Sequence, residues 1–140
     1  MAYCFEDDLL MMIPQSELAE LTAESGEVPD SLIINDAIGK AGAEIDSYLG
    51  VKYVVPLASP PAQVKALAVD LAIYHLYSRR SVAPPVRQQK HAAAVAFLKE
   101  AAAGQLVIVG AQGELPTVAK EVADATSAIR AFTRDTQSDW

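Results

Sequence analysis

The segment from Ala62 to Arg79 restricts the fold of this chain more than any other. Its apolar residues follow helical spacing on two sides: Val64, Leu67, Ala68, Leu71 and Tyr74 on one, and Val69, Ile73 and Leu76 on the other. A helix that is apolar on more than one side must be covered by neighbouring elements. The sequence therefore predicts that this helix lies at the centre of the domain or is buried by a partner.

Four further helices are predicted from the same periodicity and from residues that begin or end helices. They span residues 5–13, 15–23, 31–49 and about 85–103, and residues 51–57 form a short extended segment. Gly50 follows the third of these helices, where a left-handed residue is expected. The predicted fold class is therefore mainly α, a small bundle of about four to five helices with an extended C-terminal arm.

The arm begins after residue 109, where helical periodicity decays, so we predict a helical domain over 1–109 and an arm over 110–140. The arm carries two aromatic side chains with too little apolar surface around them to form a core of their own. We expect it to bind a partner through a small set of residues: Arg130, Phe132, Arg134, Asp135 and Trp140.

Charge is divided unevenly along the chain, whose formal net charge is -7. Residues 1–50 carry eleven acids and one base, whereas residues 51–100 carry seven bases and two acids. Complementary regions of this kind suit head-to-tail contact between copies. Alternatively, folding pairs the charges within one subunit. Four bases flank the loop between the two long helices of the second half and are candidates for a subunit interface: Arg79, Arg80, Arg87 and Lys90.

The sequence contains none of the common catalytic or nucleotide-binding motifs, so we expect no enzyme activity and no cofactor. We predict that His75 is a structural histidine in an apolar helix and that His91 lies on a solvated face. Cys4 is predicted to be an inert, small hydrophobic residue. One cysteine and two histidines also make a metal centre unexpected. No apolar run approaches the ~20 residues that span a bilayer, so no membrane partner is expected.

A series of short motifs gives the chain a family resemblance. They are Tyr3 with E-D-D-L (6–9), S-E-L-A-E-L-T (16–22), A-E-I-D-S-Y-L-G (43–50), Y-V-V-P-L (53–57), P-P-A-Q-V (60–64), D-L-A-I-Y-H-L-Y (70–77), R-R (79–80) and R-A-F-T-R-D (130–135). Together they resemble the small virion protein of Mu-like tailed phages, a family regarded as head–tail connector, adaptor or head-completion proteins. The block over 43–57 is the most specific part.

The resemblance implies a structural virion protein that forms a ring, expected to be a dodecamer, beneath the portal at the neck of the particle. Such a ring extends the DNA channel and supports the tail terminator or stopper protein. It would assemble in the host cytoplasm, and DNA would pass through it without sequence-specific binding. Acids of the first half are candidates for the channel surface, because they would repel the passing duplex: Glu17, Glu20, Glu24 and Glu27.

A second function remains open from the residues alone. The basic region 79–90 also fits a helical nucleic-acid-binding regulator or packaging factor. The negative net charge argues against a general nucleic-acid binder, whose affinity needs a basic surface. The two functions differ in salt dependence, because DNA binding weakens steeply as the salt concentration rises.

Overall fold

The computed structural model describes residues 2–23, 28–81 and 83–109. These residues form five helices and no strand: α1 (Glu6–Leu10), α2 (Gln15–Thr22), α3 (Ser31–Leu49), α4 (Ala62–Arg79) and α5 (Pro85–Ala102). The predicted mainly α fold is therefore confirmed. The predicted arm over 110–140 lies outside the described residues, so the proposed division at residue 109 stays a prediction.

Helix α4 lies at the centre of the domain, as its sequence predicts. It packs against α3 and α5 and also contacts α1 and α2. Its consecutive residues Leu71, Ala72 and Ile73 are all fully buried. Since successive helical residues are about 100° apart, these three cover more than half of the helix circumference. The other helices therefore surround α4 on several sides.

Helix α3 presents a regular apolar face to this centre. Its N-terminus is capped by Asp30, whose side chain accepts a hydrogen bond from the Leu32 amide at 2.9 Å. Such a cap satisfies one of the amide groups that a helix start leaves unpaired. The buried positions then recur every three or four residues and end near the last turn: Ile34, Ile38, Ala41, Ile45 and Leu49.

Two glycines end helices for different physical reasons. Gly104, after α5, has a φ of 79° and adopts the left-handed conformation that glycine tolerates best. The same expectation for Gly50 is wrong, because its φ is -61°. A Cβ at Gly50 would lie 2.8 Å from the Asp46 carbonyl oxygen. Glycine is needed at position 50 because the backbone approaches closely, and not because φ is positive.

The N-terminal segment is tied to the helical core by polar contacts. The buried Tyr3 hydroxyl donates to the Asp46 carboxylate on α3 and accepts from the Leu57 amide at 2.9 Å. Burial, reinforced by the Asp46 contact, raises the pKa of Tyr3 to about 12. An ion pair of 3.0 Å between Asp8 and Lys65 then fixes α1 beside the first turn of α4.

A pair of leucine variants tests the central position of α4. Leu71→Ala should lower the free energy of unfolding by about 2–5 kcal/mol, because Leu71 is fully buried and the substitution leaves a cavity. Leu32→Ala is the control, since Leu32 is 82% exposed, and it should change stability by less than about 0.5 kcal/mol. Denaturant unfolding measures both. Equal losses in the two variants would contradict the packing described here.

Candidate functional site

Arg79 and Arg80 hold the end of α2 against the end of α4. Arg79 Nη1 donates to the Leu21 carbonyl at 3.1 Å, and Arg80 Nη2 donates to the Ala23 carbonyl at 3.1 Å. These carbonyls belong to the end of α2, which has no intrahelical donors left to satisfy them. Both arginines are exposed, and each guanidinium has further N–H groups to offer to a carboxylate. Their role at a subunit interface stays a prediction.

Arg87 and Lys90, the other two predicted interface residues, lie near an acid of the same chain. Burial raises the pKa of the Asp70 carboxyl on α4, and the charges of Lys90 and Arg87 oppose that rise. Arg87 Nη1 is buried and has no hydrogen-bond partner among the described residues. Among the described residues neither base forms an ion pair with Asp70, so charge pairing within one subunit stays a prediction for Arg87 and Lys90.

A polar cluster joins the three long helices. Glu44 on α3 contacts His75 Nε2 on α4 at 3.0 Å and His91 Nε2 on α5 at 3.5 Å. The His91 ring stacks on Tyr74, with ring centroids 3.9 Å apart and planes inclined by 19°. One carboxylate thus accepts contacts from two imidazoles, which ties α3 to both α4 and α5.

The position of His91 corrects its interpretation from sequence. The prediction of a solvated face is wrong, because the side chain is only 26% exposed and packs on α4. A usable signal was present: His91 lies three residues before Ala94 and seven before Leu98, both buried. That spacing places His91 on the packed face of α5. Its partner Glu44, by contrast, has no sequence signal that connects it to α5.

The predicted channel and arm residues are only partly described. Glu17 is half-buried and accepts a hydrogen bond from the Tyr77 hydroxyl on α4, whereas Glu20 is exposed. Glu24 and Glu27 lie outside the described residues. So do all five predicted residues of the arm: Arg130, Phe132, Arg134, Asp135 and Trp140. The channel and arm roles stay predictions.

Exposed apolar side chains lie just before and just after α1. Phe5 is 65% exposed, Met11 86% and Met12 45%. Glu6, which is half-buried, and Asp7, which is exposed, lie between them in the chain. We call these five residues the α1 patch. Sequence reasoning missed it because the segment was predicted only as a short helix, whose acids are favourable charges at a helix N-terminus.

The part of the chain that the structure describes offers neither a metal site nor a membrane span. Within it, no group of three or more histidine, cysteine, aspartate or glutamate residues is arranged to hold a metal ion. No helix among the described residues is long and apolar enough to cross a bilayer.

The fold and these side chains define a small helical protein with exposed apolar and charged residues. Residues 3–127 match the family model described as Bacteriophage Mu, Gp36. The chain belongs to that family, which identifies it as a phage structural or assembly protein. The comparison with curated proteins finds no match. The Mu-like phage resemblance is thereby confirmed, and the connector role is taken up as a proposal below.

Asp70 provides a pH-dependent prediction. Its pKa is raised in the folded chain, mainly by burial, so the folded state holds the proton more tightly and loses stability as pH rises through the raised pKa. Asp70→Asn removes this titration. It should raise the free energy of unfolding modestly at pH 7 and leave it nearly unchanged at pH 2.5, where the carboxyl is protonated in both states.

Asp36→Asn is the matched control for Asp70→Asn. Asp36 is exposed and pairs with Lys40 at 2.7 Å along the same helix face. Its substitution should lower stability at pH 7 by about 0.3–0.5 kcal/mol. Denaturant unfolding at both pH values measures the two variants. A loss of stability in Asp70→Asn at pH 7 would show that Lys90 and Arg87 outweigh burial at this site.

Proposed function

We propose that this protein is the head–tail adaptor of a Mu-like phage. Copies of it form a ring, expected to be a dodecamer, beneath the portal at the neck of the virion. The ring extends the DNA channel and provides the platform for the tail terminator or stopper protein. The observation that carries the proposal is the family match over residues 3–127.

The shape of the described domain supports this proposal. Helix α4 has 18 residues, which at about 1.5 Å per residue makes it ~27 Å long. Acidic α1 is fixed beside its first turn by the Asp8–Lys65 pair, and Arg79 and Arg80 stand at its far end. Acidic α2 lies beside this basic end of α4, since Tyr77 donates to Glu17 and Arg79 donates to the Leu21 carbonyl. A subunit that carries exposed acidic and exposed basic side chains suits assembly with further copies.

The proposed role is structural and not enzymatic, with no cofactor. The acids Glu17, Glu20, Glu24 and Glu27 are assigned to the channel or the tail-facing side, where negative charge keeps the duplex from adhering as it passes. Nucleic-acid binding through residues 79–90 is less well supported. Two of its four bases donate to α2 carbonyls, and the other two lie near Asp70, so less basic surface is left for phosphates.

Particle images test the proposed function directly. Mixed with the portal protein of the same phage, the chain should add a ring of density to the portal, seen by electron microscopy. A DNA-binding assay at 50 and 200 mM salt runs in parallel. An unchanged portal, together with DNA affinity that falls steeply with salt, would contradict the adaptor role and favour the nucleic-acid-binding alternative.

The arm is proposed to bind the portal through Arg130, Phe132, Arg134, Asp135 and Trp140. An aromatic ring the size of Phe132 gains roughly 1.5–3 kcal/mol from full burial. The flanking arginines are able to pair with carboxylates beside the groove that receives the ring. Portal contact would offset the entropy lost when such an arm becomes ordered.

Removal of residues 128–140 should abolish portal binding while the circular dichroism and melting temperature of the free chain hardly change. The double variant Phe132→Ala, Trp140→Ala should weaken binding in the same assay. The double variant Thr136→Ala, Ser138→Ala is the control from the same segment and should bind normally. Binding is measured by co-sedimentation with portal. Full affinity in the truncated chain would show that the arm is not the contact.

A further inference from the structure

We propose that a groove between α3 and α4 holds the Asp139–Trp140 segment of the arm in the free chain and releases it to the portal. The inference rests on the proposed function, in which the arm binds the portal, and it adds a second site that competes for the same segment. Asp139 and Trp140 lie outside the described residues. We call the site the α3–α4 groove and define it by six of the side chains that line it: Leu32, Asp36, Ala37, Lys40, Leu76 and Arg79.

The α3–α4 groove is one continuous cavity of about 550 Å³. Ala37 on α3 and Leu76 on α4 contribute its apolar floor, and both are buried in the core. Leu32 also lines it and is exposed, so a large apolar side chain stays in water unless a ligand covers it. A concave, partly apolar surface with a few polar side chains at its edge is typical of a binding site.

The charged side chains of the groove favour an acidic ligand. Lys40 is the only base among residues 1–50, and it lines the same groove as Arg79 on α4. Asp36 pairs with Lys40 at 2.7 Å, but both side chains are exposed, and such a pair leaves the ammonium group further protons to donate. Arg79 uses one N–H group for the Leu21 carbonyl and has others available. A carboxylate in the groove therefore meets two bases and one acid.

The arm contains two aromatic residues, and the charges beside them decide which one suits the groove. Phe132 lies between Arg130 and Arg134, which the bases of the groove would repel. Trp140 directly follows Asp139. An indole ring next to a carboxylate matches an apolar floor that is flanked by two bases. The groove therefore takes Trp140, and Phe132 with its two arginines stays available to the portal.

The arm is long enough to reach the groove of its own chain. A Cβ at Gly104, just after α5, would lie 3.1 Å from Lys52 Nζ, so this part of the chain lies near the end of α3. The groove lies around Asp36, thirteen positions before Leu49, or ~20 Å along α3 at about 1.5 Å per residue. Residues 110–138 intervene, and an extended chain of that length spans several times this distance. Docking is then intramolecular, so a contact too weak to join separate molecules becomes populated.

Trp140 is the only tryptophan of the chain, so its fluorescence reports the occupancy of the groove in the full-length protein. In the native chain, its emission should lie at shorter wavelength than in urea, and acrylamide should quench it less. Leu32→Asp should remove both differences, because it places a charge on the apolar lining. Val51→Asp is the matched control, since Val51 is 61% exposed at the other end of α3, and it should leave the emission unchanged. Native emission equal to that in urea, or equal emission in the two variants, would overturn the docking.

A charge exchange tests the same contact by a second route. Lys40→Glu and Asp139→Lys should each expose Trp140 to acrylamide, and the two changes combined in one chain should restore its protection. Lys99→Glu reverses an exposed lysine of α5 outside the groove and should have no effect. Failure of the combined variant to recover would overturn the assignment. Protection that rises with protein concentration would place Trp140 on another copy and overturn the docking within one chain.

Competition with the portal separates this inference from the proposed function. Leu32→Asp should raise the affinity for portal about threefold, as expected when about two thirds of the native arms are docked, whereas Val51→Asp should bind as the native chain does. Co-sedimentation with portal measures both, and an unchanged affinity in Leu32→Asp would overturn the competition. Protected Trp140 without portal binding refutes only the adaptor role. Portal binding by a native chain whose Trp140 is already exposed refutes only the docking in the groove.

Discussion

The burial of α4 is the constraint on which the rest of the structure depends. Leu71, Ala72 and Ile73 follow one another in the chain and are all removed from solvent, which a single neighbouring helix cannot achieve. Each large side chain of this kind gains about 1.5–3 kcal/mol when it is fully buried. Helices α3 and α5 therefore pack along α4, and the two short helices cover what remains.

Polar contacts at the edge of this core determine the relative positions of the helices, which apolar packing alone does not specify. Tyr3 joins the N-terminal segment to α3 and to the loop before α4. Glu44 connects α3 to imidazoles on both α4 and α5. Arg79 and Arg80 attach the end of α2 to the end of α4. Because each contact links separate elements, together they fix how the helices sit around α4 and which charges stay exposed.

The helices could be predicted from sequence, because their signals are local. The two-sided apolar pattern of α4 predicted a helix either at the centre of the domain or buried by a partner, and the structure shows the first of these. The prediction of a left-handed φ at Gly50 was wrong, because residue type alone does not distinguish a left-handed φ from a close backbone approach. The Arg79 contact with Leu21 joins residues 58 positions apart, and no local pattern connects them. The interpretation of His91 failed for a different reason: its spacing from Ala94 and Leu98, which places it on the packed face of α5, was overlooked.

Amide hydrogen exchange tests most directly whether α4 is the rigid centre of the domain and whether exposed segments around it become covered on assembly. In the free chain, exchange should be slowest in the middle of α4, around residues 68–76. On assembly with portal, residues 5–12 and 79–90 should gain protection while the middle of α4 remains unchanged. Fast exchange in α4, or assembly that leaves both segments as exposed as in the free chain, would contradict this account.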